Sequence, residues 1–161
     1  MTHKQQTTQN QQVGTGQRRS WLRSSSLWWQ RRVKIRTNDR IRAKGGTYMG
    51  MDLLILHTLG CRSGEARETP VTWFADGEDA WLIVASGGGR RHPDWYLNLM
   101  AHPDRASIEF HGDEKVPVSP RRLDGADRDK AWQRIAAAQP RYARYQRKSD
   151  REYPVVRLTL R

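Results

Sequence analysis

The chain has one cysteine, Cys61, among 161 residues. A single thiol excludes an internal disulfide and suits a reducing cytosol. Long apolar runs are missing too. Runs such as Leu53-Leu54-Ile55-Leu56 fall far short of the roughly 20 residues of a membrane-spanning helix. His3, His57, His92, His102 and His111 are scattered, with no metal-ligand spacing to a carboxylate or to Cys61, so no metal site is expected. No Ser/His/Asp or Cys/His arrangement shows itself, and no base near Cys61 would make it a nucleophile. The spacings of a P-loop and of a dinucleotide fingerprint are both missing. No internal repeat interrupts what length alone suggests, one core-bearing domain.

Acid is scarce at the start. Residues 1–50 hold 11 Lys and Arg against the single acid Asp39, whereas residues 51–161 hold 18 against 16. The net charge of +12 therefore splits into +10 on the N-terminal arm and +2 on the body. A high pI alone suggests nucleic acid, but a nearly balanced globular part argues against it. Residues 1–19 are Gln, Thr, Asn and Gly with almost nothing apolar, so a disordered tail is expected. Residues 20–44 read as a basic, tryptophan-rich helical arm. Trp21, Leu22, Trp28, Trp29 and Val33 share one helical stripe, ringed by Arg23, Arg31, Arg32, Lys34 and Arg36. Such a helix either lies on an anionic membrane surface or caps the core with its tryptophans, and the two readings are compatible. Arg18-Arg19 loosely resembles a twin-arginine export signal, but Ser24-Ser25-Ser26 stands where an apolar segment is needed. The expected location is cytoplasmic, at the inner face of the plasma membrane if the arm contacts it.

The body, residues 45–161, alternates short strands with helices. Leu53–Thr58 reads as a buried strand, and Thr69–Phe74 and Ala80–Ser86 as a hairpin around Asp76-Gly77. Pro93 suits the first turn of a helix that His102-Pro103 ends near Ala101. Arg105–Phe110 and Lys115–Leu123 form a second hairpin, with Pro117 and Pro120 confining its second strand to an edge or a bulge. Asp124 is expected to cap a helix over Ala126–Gln139; a short helix carries Tyr142 and Tyr145, and Val155–Leu160 is a final strand. Hairpins dominate this order, which excludes a parallel α/β sheet. The expected fold is mainly β (α+β), a small antiparallel barrel with helices packed outside.

Two glycine loops carry arginine. Gly60 and Gly64 bracket Cys61-Arg62-Ser63 after a buried strand, with Arg67 close behind, and Gly87-Gly88-Gly89 precedes Arg90-Arg91. Glycine permits the backbone shapes in which successive N–H groups converge on an anion, and forked guanidinium donors match phosphate oxygens. Solvated arginines in ordinary turns are the plainer reading of either loop alone; the pair favours an anionic ligand. Ser86 ends a strand just before the triple glycine, where its hydroxyl either faces a ligand or satisfies the turn. Trp95, Tyr96 and Leu99 suit packing, and Asn98 suits a donor or a cap. Tyr142 and Tyr145 lie three apart on one helix face, and a phenol near pKa about 10 stays protonated at neutrality, ready to donate a proton or to pack.

Residues from about 45 to 161 resemble the deazaflavin-dependent nitroreductase family, the actinobacterial F420H2-dependent quinone reductases. The likeness rests on Thr58-Leu59-Gly60-Cys61-Arg62-Ser63-Gly64, Ala85-Ser86-Gly87-Gly88, His92-Pro93-Asp94-Trp95-Tyr96-Leu97-Asn98-Leu99, and Tyr145-Gln146 followed by Ser149-Asp150-Arg151 and Pro154-Val155-Val156. It implies a split β-barrel of the flavin-reductase-like type and coenzyme F420 as hydride donor to a quinone or nitro-type acceptor. By resemblance, Arg62, Ser63, Gly64, Arg67, Pro70, Ser86, Gly87, Arg91, Trp95 and Asn98 fall at cofactor positions. Ser86, Tyr142 and Tyr145 take the catalytic places, and Thr72, Trp73 and Gln139 border the acceptor. The sequence departs from the family where Cys61 replaces an arginine, Gly87 a lysine and Gln139 a third tyrosine. The family's N-terminal segment can associate with membrane, and barrels of this kind often pair as homodimers. Composition and spacing do not separate F420 from FMN. A non-catalytic F420- or FMN-binding carrier and a nucleic-acid-binding protein acting through the arm are the alternatives.

Overall fold

The computed structural model describes residues 33–161. Its strands are β1 (Thr47–Tyr48), β2 (Met51–Leu59), β3 (Ala66–Ala75), β4 (Ala80–Val84), β5 (Ser107–Glu109), β6 (Val116–Arg122) and β7 (Val155–Leu160). The helices are α1 over residues 33–44, α2 (Asp94–Ala101), α3 (Gly125–Ala138) and α4 (Pro140–Arg147). The order β1-β2-β3-β4-β7-β6-β5 closes on itself because β2 also pairs with β5. Strands β2 to β7 therefore make a six-stranded antiparallel barrel with the helices outside, as expected.

Strand alternation builds two cores from one sheet. Leu54 and Leu56 point into the barrel with Val71, Ile83, Val156 and Leu158. Their neighbours Met51, Leu82, Val84 and Val155 point outward, under Ala131 and Ile135 of α3 and Tyr142 of α4. Burying each such aliphatic side chain contributes about 1.5–3 kcal/mol, so both faces of the sheet are committed. Helix α1 seats Ile41, only 1% exposed, against the barrel. Gly46 allows that approach, since a Cβ there would lie 2.5 Å from the Ile41 side chain. The compact unit runs from Lys34 to Arg161. Trp21, Leu22, Trp28 and Trp29, and with them most of the expected membrane-facing stripe, lie outside the described residues. No described helix is long and apolar enough to cross a membrane.

Two local expectations need correction. Strand β6 is not an edge: it pairs with β5 on one side and β7 on the other. Its prolines survive because each sits where a neighbouring ladder has run out. Val118 donates its N–H to Ala106 on the β5 side at 3.1 Å, so Pro120, two residues on, faces past the start of β5. Pro117 lies opposite Arg161, beyond the last residue of β7. Asp124 stands at the N-cap of α3 but its side chain makes no capping bond; it pairs with Arg122 at 3.2 Å instead. A nearby guanidinium has outcompeted the backbone donors of the helix start.

Candidate active site

A cleft of about 350 Å³ opens on the outer face of the barrel, under α4. The outward residues of β3, Pro70 and Thr72, form its floor, and Ser86 and Gly87, just past β4, form one wall. Trp95 of α2 closes the same end. Tyr142 and Tyr145 of α4 face them, with their rings 6.2 Å apart and edge to face. Helical spacing puts both phenols on one side. Tyr142 is 4% exposed and Tyr145 44%, so one phenol forms the back of the cleft and the other its rim.

The Tyr142 phenol and the Thr72 hydroxyl are hydrogen-bonded to each other. Two hydroxyls own two protons and their mutual bond uses one, which leaves the other for a third group. Burial raises the Tyr142 pKa above the usual phenol value, against the opposing bond from Thr72, so the proton stays on. The cleft thus holds a donor kept in its protonated form.

The other expected cofactor residues cluster around the two glycine loops. Gly60 accepts from and donates to the hairpin between β2 and β3: its N–H reaches the Glu65 carbonyl at 2.8 Å, and Gly64 N–H reaches the Gly60 carbonyl at 2.8 Å. Gly64 has φ +65° and Arg62 stands exposed on this turn. The Arg67 guanidinium is held by Glu65 at 2.7 Å and by Ser63 Oγ at 3.4 Å, so part of its donor set is already engaged. The Asn98 carbonyl oxygen accepts from the Cys61 N–H at 2.9 Å, so Asn98 acts on the turn rather than lining the cleft. Arg91 is exposed just after the triple glycine. There Gly88 is required: φ is +89°, and a Cβ would lie 2.7 Å from the Arg91 carbonyl.

Two expected acceptor residues do not reach the cleft. Trp73 follows Thr72 on the same strand and so points the other way, into the barrel, where it packs edge-on against Phe110 at 5.3 Å. Gln139 ends α3 and donates to the Gly50 carbonyl at 3.4 Å.

Arg151 is the residue whose role the sequence did not reveal. Its guanidinium donates to the carbonyls of Ala85 at 3.0 Å, Gly87 at 2.6 Å and Gly89 at 3.1 Å, and to His92 Nδ1 at 3.3 Å. It also stacks 4.8 Å from the Tyr153 ring. Burial, with Arg151 and Arg122 nearby, lowers the His92 pKa, which keeps Nδ1 free to accept. One side chain gathers the carbonyls of the second glycine loop. Nothing in the sequence indicates that its partners lie some sixty residues upstream.

These residues fit a flat heteroaromatic cofactor with an anionic tail. A Cβ on Gly87 would meet only Pro93, at 4.0 Å, so the wall beside Ser86 is open to a ring laid against it. Arg62 and Arg91 present cations at the loops beyond. Comparison with known proteins agrees. A family model described as F420H(2)-dependent quinone reductase matches residues 28–159. An F420H(2)-dependent quinone reductase of Mycobacterium tuberculosis is 42% identical over 113 residues, 67% of this chain and 73% of the relative. A solved structure described as an F420-H2 dependent reductase, FDR-A, superposes with a TM-score of 0.57 at 33% identity, over 66% of this chain and 92% of its own. Another, described as a domain-swapped dimer, gives a TM-score of 0.59 at 28% identity over 88% and 98%.

Proposed function

The chain belongs to the F420H(2)-dependent quinone reductase family, and on that premise we propose that it reduces a quinone or nitro-type acceptor held in the cleft under α4. It is an F420H2-dependent oxidoreductase, and its cofactor is coenzyme F420. The observation that carries the finer reading is the Thr72–Tyr142 hydroxyl pair, buried at the back of a cleft that ends at a glycine loop.

Reduced F420, when bound, supplies the hydride. The protein supplies position, charge and a proton. Ser86, Gly87, Pro70 and Trp95 border the end of the cleft nearest the loops and would hold the cofactor ring, and the exposed Arg62 and Arg91 would meet its anionic tail. Tyr142, backed by Thr72, donates to the acceptor oxygen as negative charge grows on it, and Tyr145 and Ser86 add hydrogen bonds at the rim. A hydride carries two electrons and one proton equivalent, so one further proton completes a hydroquinone; the hydroxyl pair delivers it and is refilled from solvent through the open side. The domain-swapped dimer among similar structures supports a homodimer for this chain, which sedimentation velocity tests.

The test is fluorescence titration with F420 and separately with FMN, followed by reduction and a challenge with menadione. Preferential F420 binding with acceptor-dependent reoxidation is the expected result. Tight F420 binding with no reoxidation by quinone or nitro acceptors would instead mark a carrier.

A further inference from the structure

We propose that Arg141 is a specificity residue for the acceptor, selecting molecules that place an anionic or strongly polarised oxygen at the end of the cleft remote from the glycine loops. This rests on the reading of the cleft as an acceptor site.

Arg141 lies on α4 directly before Tyr142 and lines the cleft. Its Nη2 donates to the Met49 carbonyl in the turn between β1 and β2 at 2.7 Å. Its Nη1 is buried and has no hydrogen-bond partner. A buried guanidinium nitrogen without an acceptor costs desolvation energy, and such orphans call for a partner. The Met49 bond pins the side chain, so the guanidinium that lines the cleft keeps one place rather than sweeping through solvent. Arg141 is also close enough to act electrostatically on the Tyr142 phenol, lowering its pKa against the effect of burial. One wall therefore offers two neighbouring donors, a phenol and a guanidinium.

Strand register sets the polarity of the cleft. Met49 precedes β2 and the Gly60–Gly64 turn follows it, so the two lie about 30 Å apart at roughly 3.3 Å per residue. Thr72 pairs with Leu53 near the start of β2, whereas Pro70 pairs with Ile55 further along it. Going from Arg141 past Thr72 and Tyr142 to Pro70, Ser86 and Gly87 is thus a walk toward the glycine loops. A cofactor whose anionic tail sits at those loops leaves the Arg141 end to the other reactant. The chemistry that a forked cation and a phenol recognise there is an oxyanion or a carbonyl with charge drawn onto its oxygen. A hydroxylated quinone, ionised at neutral pH, has both.

The experiment compares lawsone, an anionic hydroxynaphthoquinone, with menadione, a neutral methylnaphthoquinone. Arg141→Gln keeps a donor for the Met49 carbonyl but removes the charge; Arg141→Lys keeps the charge but not the fork. Exposed Arg144, one turn on, is replaced by Ala to control for net charge. In Arg141→Gln the KM for lawsone should rise about tenfold or more relative to that for menadione, with Arg141→Lys in between. The affinity of lawsone for the protein without F420, read by tryptophan fluorescence, should fall by a similar factor. Equal changes for both quinones, or a lawsone affinity that ignores Arg141, would overturn the proposal. Arg141-dependent lawsone binding with no turnover of either quinone would sustain this site and overturn the reductase reading.

Discussion

The hydroxyl pair at the back of the cleft makes a sharp demand of single residues. Tyr142→Phe keeps the ring contact with Phe74, 5.7 Å away, and removes only the phenol oxygen. With Thr72 still able to donate, kcat with menadione should fall about tenfold to a hundredfold rather than vanish. Thr72→Val should cost less, and the double variant more than the product of the two, because each hydroxyl covers for the other. Simple additivity in steady-state rates would show that the two act independently. Arg151 poses the second test. Arg151→Ala removes the common donor of three loop carbonyls, so the F420 Kd should rise about tenfold, consistent with losing one or more charged hydrogen bonds. Trypsin should then cut the cofactor-free protein faster after Arg90 or Arg91, which mass spectrometry of the fragments reads directly. Unchanged cleavage would mean that the loop does not depend on its clamp.

At the scale of elements, α2 is what couples the two glycine loops. Its N-terminus continues from Gly87–Pro93, and Asn98, one turn in, holds the Cys61 N–H of the other loop. Asn98→Leu should therefore weaken F420 binding severalfold while changing kcat less, since the lost bond holds the Cys61 turn and not the hydroxyl pair in the cleft; isothermal titration and turnover measured side by side would separate these effects. Sequence reading reached this level unevenly, and the reasons are physical. Val155–Leu160 was legible to the residue, because Pro154 precedes it and Val156, Leu158 and Leu160 alternate with Arg157 and Thr159. Strand β5 was read too long: only Ser107–Glu109 pairs, where the short β6 ladder meets β2. Pro117 looked like an edge signal because a missing N–H forbids a ladder bond, and one sequence does not show where the partner strand stops. Motif resemblance located Ser86, Gly87, Thr72 and both tyrosines, which the fold gathers into one cleft. It placed Trp73 beside Thr72, although strand parity separates adjacent residues onto opposite faces. Arg141 carried a legible hint, since helical spacing sets it beside Tyr145, but a charge on a short helix ordinarily reads as solvated.

The whole molecule is held together around buried charge as well as apolar cores, and this fixes how it responds to acid. Asp76 in the turn between β3 and β4 bonds Arg134 of α3 and Arg157 of β7, each at 2.5 Å, tying three elements together. Burial would raise its pKa, but the two guanidinium groups outweigh that and hold it below the usual carboxylate range. On the other side of the barrel, Glu109 bonds Arg42 of α1 at 2.7 Å and His57 of β2 at 2.9 Å. Arg42 lowers the Glu109 pKa against the effect of burial, while burial lowers that of His57 against the pull of Glu109. A carboxylate accepts only, so neutral His57 donates from Nε2. All three groups bind protons more weakly folded than unfolded. Their contribution is therefore complete above the unfolded values, about 6.5 for His and about 4 for the acids, and is lost as pH falls through the folded ones. Urea midpoints should be level near neutrality, decline from about pH 6.5 downward as His57 is forced to charge, and drop again below about pH 4. His57→Gln should shrink the first decline, leaving the part that belongs to His92, whose pKa is lowered in the same direction. Asp76→Asn should leave Arg157 short of a partner, costing about 1–3 kcal/mol at neutral pH, and should shrink the second. A midpoint that rises on acidification would contradict the sign of every one of these shifts, and with it the placement of neutral His57 and ionised Asp76 and Glu109 at the seams where the helices meet the barrel.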